Sequence, residues 1–194
     1  MPRDNFAFRK ENQLKKDDKS LKGNWDKKIL NLCNLINKGG DYYTTSSCSG
    51  RILVLIDDEE KRDDLFLFCS HELIDFGNLK KELNKIKDKT GKLIYFRQDP
   101  CILHIACKTL EKAQEIHDFA KDAGWKRCGI IATKKRFVVE LNATQRIEMP
   151  IINRNEVLAD DKFLKTLVEE SNKKLRNSWE LIDRFENLLQ KAYK

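Results

Sequence analysis

One eight-residue segment, from Thr44 to Arg51, holds many of the groups that could do chemistry in this 194-residue chain. Its sequence is TTSSCSGR, which supplies six hydroxyls or thiols, one glycine and one guanidinium. Hydroxyls and backbone N–H groups at a bend can hold a carboxylate, a ribose or a phosphate, and Arg51 can bind an anion through two hydrogen bonds. The alternative is an ordinary Ser/Thr-rich turn with local hydrogen bonds, so composition alone leaves both interpretations open.

Three histidines are the other candidates for acid–base chemistry. His71 follows an apolar run and precedes Glu72, and a side chain with an ordinary pKa of about 6.5 beside a carboxylate suits a general base. The alternative for His71 is a plain surface residue at a strand end. His104 lies within an apolar run, which favours a hydrogen-bonded core residue, and His117 is interpreted as structural. Their scatter predicts no metal site.

Several familiar sites are missing from the sequence. It contains neither the glycine pattern of dinucleotide-binding folds nor a P-loop, and none of its six cysteines forms a C-x2-C pair. No uncharged stretch exceeds nine residues, and the first residues lack an apolar segment. We therefore expect reduced thiols, no membrane span, no secretory signal and a cytoplasmic location.

Charge is concentrated near the start of the chain. The net charge is +7, and residues 1–40 contain ten Lys or Arg against five Asp or Glu. A basic face of this kind suits a phosphate backbone, although a solvated basic helix is an equal alternative. The hairpin tip at Lys134, Lys135 and Arg136 offers further candidate phosphate contacts, again with a solvated turn as the alternative.

The elements that must position these residues mix helices and strands without steady alternation. Asp26 is predicted to cap a helix that ends at Gly39, and Gly50 to bend the apolar run 42–56. Further predicted strands are 64–71, 92–97, 101–107, 128–133 and 136–141, with a charged hairpin loop before the first, a Gln-Asp-Pro turn between 92–97 and 101–107, and helices over 79–91 and 110–123. We predict an α+β fold with a mixed, mostly antiparallel sheet and flanking helices, not a Rossmann fold.

The spacing of apolar residues in the last part of the chain predicts a helix of about 32 residues, roughly 48 Å long. From Asp160 onward a seam repeats with alternating spacings of four and three: Leu164, Val168, Ser171, Leu175, Ser178, Ile182, Phe185, Leu189 and Ala192. The seam fits packing along its own chain or against a partner helix, so a monomer and a helix-mediated dimer are both open. We expect a domain over residues 1–152 and the helix over 153–194.

A set of short motifs is ordered along the chain up to about residue 151. They are Asp18-Lys19-Ser20, Gly23, Asp26, Ser46-Ser47-Cys48-Ser49-Gly50-Arg51, Ser70-His71, Pro100, Leu103-His104, Cys107, Gly124, Gly129-Ile130, Thr144 and Glu148-Met149-Pro150. In these residues the chain resembles the wybutosine-synthesis methyltransferases, which act on position 37 of phenylalanine tRNA. The Ser-Ser-Cys-x-Gly-Arg element is the most specific of the motifs.

The resemblance implies an enzyme that uses S-adenosylmethionine to methylate N-4 of a 4-demethylwyosine-type guanosine in tRNA-Phe. Asp18 and His71 are then the candidate proton acceptors, and the Ser46–Arg51 segment is expected to hold the cofactor or the base. Candidate substrate contacts are Lys19, Ser20, His104, Lys134, Lys135, Arg136, Thr144 and Glu148. The alternative function is a non-catalytic RNA-binding module.

Overall fold

The computed structural model describes residues 5–15, 26–56, 65–134 and 136–193. Asp18, Lys19, Ser20, Lys135 and the predicted hairpin loop over 57–64 lie outside these ranges. The helices are α1 (Asn5–Leu14), α2 (Lys27–Lys38), α3 (Phe76–Ile86), α4 (Leu110–Asp122) and α5 (Asp161–Ala192). The strands are β1 (Tyr42–Cys48), β2 (Arg51–Ile56), β3 (Phe66–Ser70), β4 (Ile94–Asp99), β5 (Ile102–Cys107), β6 (Arg127–Ala132), β7 (Phe137–Asn142), β8 (Ile147–Asn153) and β9 (Glu156–Val157).

These elements form two compact units, each built from separate stretches of the chain. Unit 1 contains the described residues of Met1–Ser49, Cys101–Thr144 and Trp179–Lys194. Unit 2 contains those of Gly50–Pro100 and Gln145–Ser178. The expected division into a domain over 1–152 and a helix over 153–194 is based on where the family motifs end, not on how compactly the chain folds. It stays a prediction.

Unit 1 packs α2, α4 and the end of α5 on one face of a four-stranded antiparallel sheet, sheet A, with the order β1-β5-β7-β6. The predicted apolar stripe of α2 (Ile29, Leu32, Cys33 and Ile36) is fully buried there. Helix α4 begins at Thr109, whose side chain accepts a hydrogen bond from the Lys112 amide, and ends before Gly124, whose φ of 96° suits glycine. Sheet A therefore has one face buried in the core.

Unit 2 is built on a five-stranded antiparallel sheet, sheet B, with the order β3-β2-β4-β8-β9. Residues 52–56 of β2 are all buried, as are Ile94 and Phe96 of β4. Helix α3 buries Leu79, Leu83 and Ile86 on one side. A continuous apolar strand such as β2 is typical of the interior of a sheet.

Helix α5 spans the 32 residues that the seam predicts, and all seam positions are buried except Ala192. Residues up to Ser178 belong to unit 2, whereas Ile182, Phe185 and Leu189 belong to the core of unit 1. The Ser171 hydroxyl donates to the Leu167 carbonyl at 2.6 Å, so this buried polar side chain has a partner. The seam therefore packs against residues of its own chain.

The predicted α+β class and the long C-terminal helix are confirmed, and every described strand pair is antiparallel. The predicted Gln-Asp-Pro turn is wrong, because Gln98 and Asp99 continue β4 and the following strand, β5, belongs to the other sheet. Strand β8 is an element that the sequence did not predict. Within the described ranges, no helix has the length and apolarity needed to cross a membrane.

Candidate active site

The hydroxyl-rich segment connects β1 to β2 through Ser49 and Gly50. Gly50 has a φ of 101°, a conformation that side-chain-bearing residues rarely adopt. The Asp26 carboxylate accepts hydrogen bonds from the Ser49 amide at 2.9 Å and from its hydroxyl at 3.2 Å. Asp26 occupies the predicted N-cap position of α2 without a side-chain capping bond. Its carboxylate therefore fixes the end of β1.

A β-bulge at Thr45 controls which way the rest of β1 faces. The register shifts between Thr44 and Ser46, so the strand changes face at that point. Before the bulge, Thr44 is buried, and its backbone amide donates to the Asn37 side chain at 2.8 Å. After it, Ser47 hydrogen-bonds the buried Cys33 thiol, whose pKa burial raises to about 12. Ser46 is exposed and pairs across the sheet with His104.

A row of polar residues crosses sheet A on the face opposite α2 and α4. Ser46 of β1 pairs with His104 of β5, His104 with Glu140 of β7, and Glu140 with Gly129 of β6. The His104 Nε2 and Glu140 Oε2 atoms are 2.8 Å apart. The His104 and Glu140 side chains are 26% and 35% exposed, so His104 is hydrogen-bonded as predicted but is not a core residue.

In unit 2, Arg51 belongs to a group of five charged side chains. Its Nε lies 3.2 Å from Asp99, and its guanidinium lies 5.5 Å from the ring centroid of Phe66. Asp99 also pairs with Arg97 at 3.1 Å, and Arg146 pairs with Glu148 at 3.0 Å. Three guanidiniums against two carboxylates leave this group with a net positive charge, which favours an anionic ligand.

His71 directly follows β3 and is partly exposed, in unit 2. The Glu72 amide donates to the Ser70 hydroxyl at 3.1 Å, and that hydroxyl donates to the Glu72 carbonyl at 2.9 Å. These two bonds close a small turn around His71. The backbone of this candidate base is thus held in one conformation.

The predicted site residues fall into two sets. Unit 1 brings Ser46 and His104 together, and unit 2 brings Arg51 and Glu148 into the same charged group. Lys134, Arg136 and Thr144 are exposed, the first two at the tip of the β6–β7 hairpin. Sequence reasoning missed four charged partners, namely Arg97, Asp99, Glu140 and Arg146, because only strand register places them beside the motif residues.

The chain is a methyltransferase. It belongs to the family described as Methyltransferase TYW3, whose family model matches residues 8–191. The match continues well past residue 151, where the short motifs end, so α5 lies within it. Methyl transfer requires a methyl donor as well as an acceptor.

Curated relatives from distant organisms match most of this chain. A protein of Danio rerio named tRNA wybutosine-synthesizing protein 3 homolog is 34% identical, over 99% of this chain and 77% of its own length. A protein of Thermococcus sibiricus is 32% identical, over 98% of this chain and 97% of its own length. Its name is tRNA(Phe) 7-((3-amino-3-carboxypropyl)-4-demethylwyosine(37)-N(4))-methyltransferase.

A solved structure has the same fold. The structure of a Pyrococcus horikoshii protein superposes on this chain with a TM-score of 0.82 at 28% sequence identity. The superposition covers 95% of this chain and 96% of that protein. The arrangement of helices and strands is therefore shared across nearly the whole chain.

Proposed function

We propose that the protein transfers a methyl group from S-adenosylmethionine to N-4 of a 4-demethylwyosine-type guanosine at position 37 of tRNA-Phe. The observation that carries this proposal is the 32% identity, over 98% of the chain, with a relative named for that reaction. A relative from Methanocaldococcus jannaschii with the same name is 32% identical over 87% of the chain. The motif residues of β1 and β2 lie within both the family match and the described residues of the chain.

The segment from Ser46 to Arg51 has the chemistry to hold the methyl donor. S-adenosylmethionine carries an electrophilic methyl group on a positively charged sulfur, with an ammonium and a carboxylate at its amino-acid end. Either a hydroxyl such as that of Ser46 or the Arg51 guanidinium has the chemistry to donate to a carboxylate. Ser49 is already held by Asp26, so its part is to fix the backbone that Gly50 turns. The residues present therefore fit the donor.

Methylation of an N–H nitrogen also needs a proton acceptor. Asp18 and His71 are the candidates, and the Ser70–Glu72 turn supports His71 by holding its backbone. An acceptor within hydrogen-bond reach of N-4 would take the proton as the nitrogen–carbon bond forms. We expect either His71→Ala or Asp18→Ala, or only the double variant, to slow methylation while leaving cofactor binding intact.

The decisive test uses purified protein, labelled S-adenosylmethionine and tRNA-Phe that lacks this one methyl group. Nucleoside mass analysis should show one methyl group replacing hydrogen on the tricyclic base. Calorimetry with S-adenosylhomocysteine separates this function from a non-catalytic RNA-binding module, which would have no affinity for it. Binding of tRNA without any methylated product would contradict the proposal, and wild-type rates in all three variants would remove Asp18 and His71 from the mechanism.

Basic and polar groups would bind the tRNA. We propose phosphate contacts at Lys134 and Arg136, which are exposed at a hairpin tip. Lys19, Ser20, Lys135, Thr144 and Glu148 are further candidate contacts to other parts of the substrate. Each phosphate contact contributes about one unit to the salt dependence of binding. We expect Lys134→Ala with Arg136→Ala to lower that slope by about two, whereas the exposed pair Lys173→Ala with Arg176→Ala serves as a control. An unchanged slope in the hairpin variant would exclude these contacts.

A further inference from the structure

The polar row on the outer face of sheet A has the features of a second binding site in unit 1. Its members come from all four strands: Ser46, His104, Glu140 and Gly129. Neighbouring strands are about 4.8 Å apart, so the row spans about 14 Å. Ser46 is exposed, and the two charged or ionisable members are 26% and 35% exposed. The row is therefore open to a ligand while its key side chains are held in place.

The row ends at Gly129, where the missing side chain leaves open space. A Cβ atom built on Gly129 would have no described heavy atom within 4 Å, apart from its own chain neighbours. Its φ lies outside the left-handed region, so the backbone does not require glycine. Glycine in a strand marks places where a ligand or another backbone approaches closely. The missing side chain leaves space directly beside Glu140.

In contrast, the next row of residues on the same face of sheet A is apolar and is covered by protein. Tyr43, Ala106 and Val138 lie on the same face and are buried, with Phe6 of α1 packed on them. The Phe6 and Tyr43 rings are 5.2 Å apart. Helix α1 thus covers the apolar row, and the bulge at Thr45 turns Ser46 outward beside it.

The hydrogen-bond donors and acceptors of the row determine which class of ligand it can bind. An ionised carboxylate only accepts, so the His104 Nε2–H donates to Glu140. The remaining lone pairs of Glu140 can accept further N–H groups, whereas a phosphate would be repelled. A planar base with an N–H group on its edge satisfies these acceptors, and its ring can lie over a residue that has no side chain.

We propose that this row binds a purine-type base, with Glu140 accepting hydrogen bonds from its edge and Gly129 leaving room for the ring. The proposal deepens the proposed function and rests on it, because that reaction supplies two such bases. One is the modified guanine of the tRNA, and the other is the adenine of the methyl donor. His104 then acts as a positioning residue that holds the Glu140 carboxylate.

Gly129→Val tests the proposal by filling the gap. Valine suits a strand and its Cβ would meet no described atom within 4 Å, so the variant should keep its melting temperature within about 3 °C. S-adenosylhomocysteine binding by calorimetry and binding of a tRNA-Phe anticodon stem–loop by fluorescence anisotropy report the two sources separately. We expect about tenfold or greater loss of affinity in one of the two assays, and that assay identifies the base.

Two further variants complete the design. Gly40→Val is the matched control, because a Cβ on Gly40 also meets nothing within 4 Å and that residue lies before β1, outside the row. Glu140→Gln keeps the size of the side chain, removes its charge and should weaken the same ligand by about tenfold. Unchanged affinity for both ligands in folded Gly129→Val or in Glu140→Gln would overturn the proposal.

These outcomes are distinct from failure of the proposed function. A wild-type protein that produces no methylated nucleoside contradicts the function itself, whatever the variants bind. A wild-type protein that methylates tRNA, with variants that bind both ligands normally, contradicts only the purine site. A wild-type protein that binds neither ligand overturns both.

Discussion

Two carboxylates fix the residues on either side of Gly50. In unit 1, Asp26 accepts both polar hydrogens of Ser49, and in unit 2, Asp99 pairs with Arg51. Each carboxylate thus removes conformational freedom from a side chain that the sequence marks as functional. A site held in this way loses less entropy when it binds a ligand. The turn at Gly50 is therefore preorganised for binding, in contrast to a flexible Ser/Thr-rich loop.

Replacing the Asp26 carboxylate tests how much its hydrogen bonds to Ser49 stabilise the fold. Asp26→Asn keeps the shape but replaces two charge-assisted hydrogen bonds with neutral ones, and bonds to charged groups contribute about 1.5–3 kcal/mol. We expect the free energy of unfolding, measured with urea, to fall by about 1–3 kcal/mol. Asp122→Asn, at an exposed position of α4, should change it by less than about 0.5 kcal/mol. Equal effects of the two variants would show that the Ser49 bonds do not stabilise the fold.

Sequence reasoning identified the motif residues but not their partners. Asp26, Asp99 and Glu140 lie 23, 48 and 36 residues from the side chains that they bind. Strand register brings the Asp99 and Glu140 pairs together, and the packing of α2 against β1 places Asp26 beside Ser49. Register in turn depends on which sheet each strand joins. The sequence also does not predict the bulge at Thr45, although the bulge decides which hydroxyls of the motif face outward.

The elements themselves were easier to predict where periodicity is strong. The stripes of α2 and α5 correspond to buried residues because a 3.6-residue period fixes a helix face without knowledge of the fold. The connection between β4 and β5 was misjudged, since a short polar linker between two apolar runs fits a hairpin as well as a change of sheet. Strand β8 was missed because Pro150 interrupts it, opposite Tyr95 and next to an irregular pairing.

Helix α5 offers a matched pair of phenylalanines for testing its packing. Phe185 is fully buried beside Trp125, with ring centroids 6.4 Å apart, whereas Phe163 is 45% exposed on the same helix. Removing a buried aromatic side chain costs about 3–5 kcal/mol, and removing an exposed one costs little. We expect Phe185→Ala to lower the free energy of unfolding by about that amount and Phe163→Ala by less than about 0.5 kcal/mol. Similar losses in both would mean that α5 does not pack through its seam.

At the scale of the whole molecule, α5 contributes residues to both units. Its first part, up to Ser178, belongs to unit 2, and its last part supplies Ile182, Phe185 and Leu189 to the core of unit 1. The chain enters unit 2 at Gly50 and leaves it at Pro100, then returns to it at Gln145. Each unit therefore includes a part of α5.

The buried seam predicts that the protein is a monomer. A seam that is occupied by residues of its own chain has no apolar face left for a partner helix, so light scattering should give a mass near 22.8 kDa at all concentrations. Ser171→Leu separates the two alternatives. In a dimer seam, leucine would strengthen association and raise the melting temperature. In the packed interior, where Ser171 is fully buried and bonded to Leu167, leucine overpacks the core and should cost about 1–3 kcal/mol. A stabilised variant with twice the monomer mass would show that α5 pairs with a second copy of the chain.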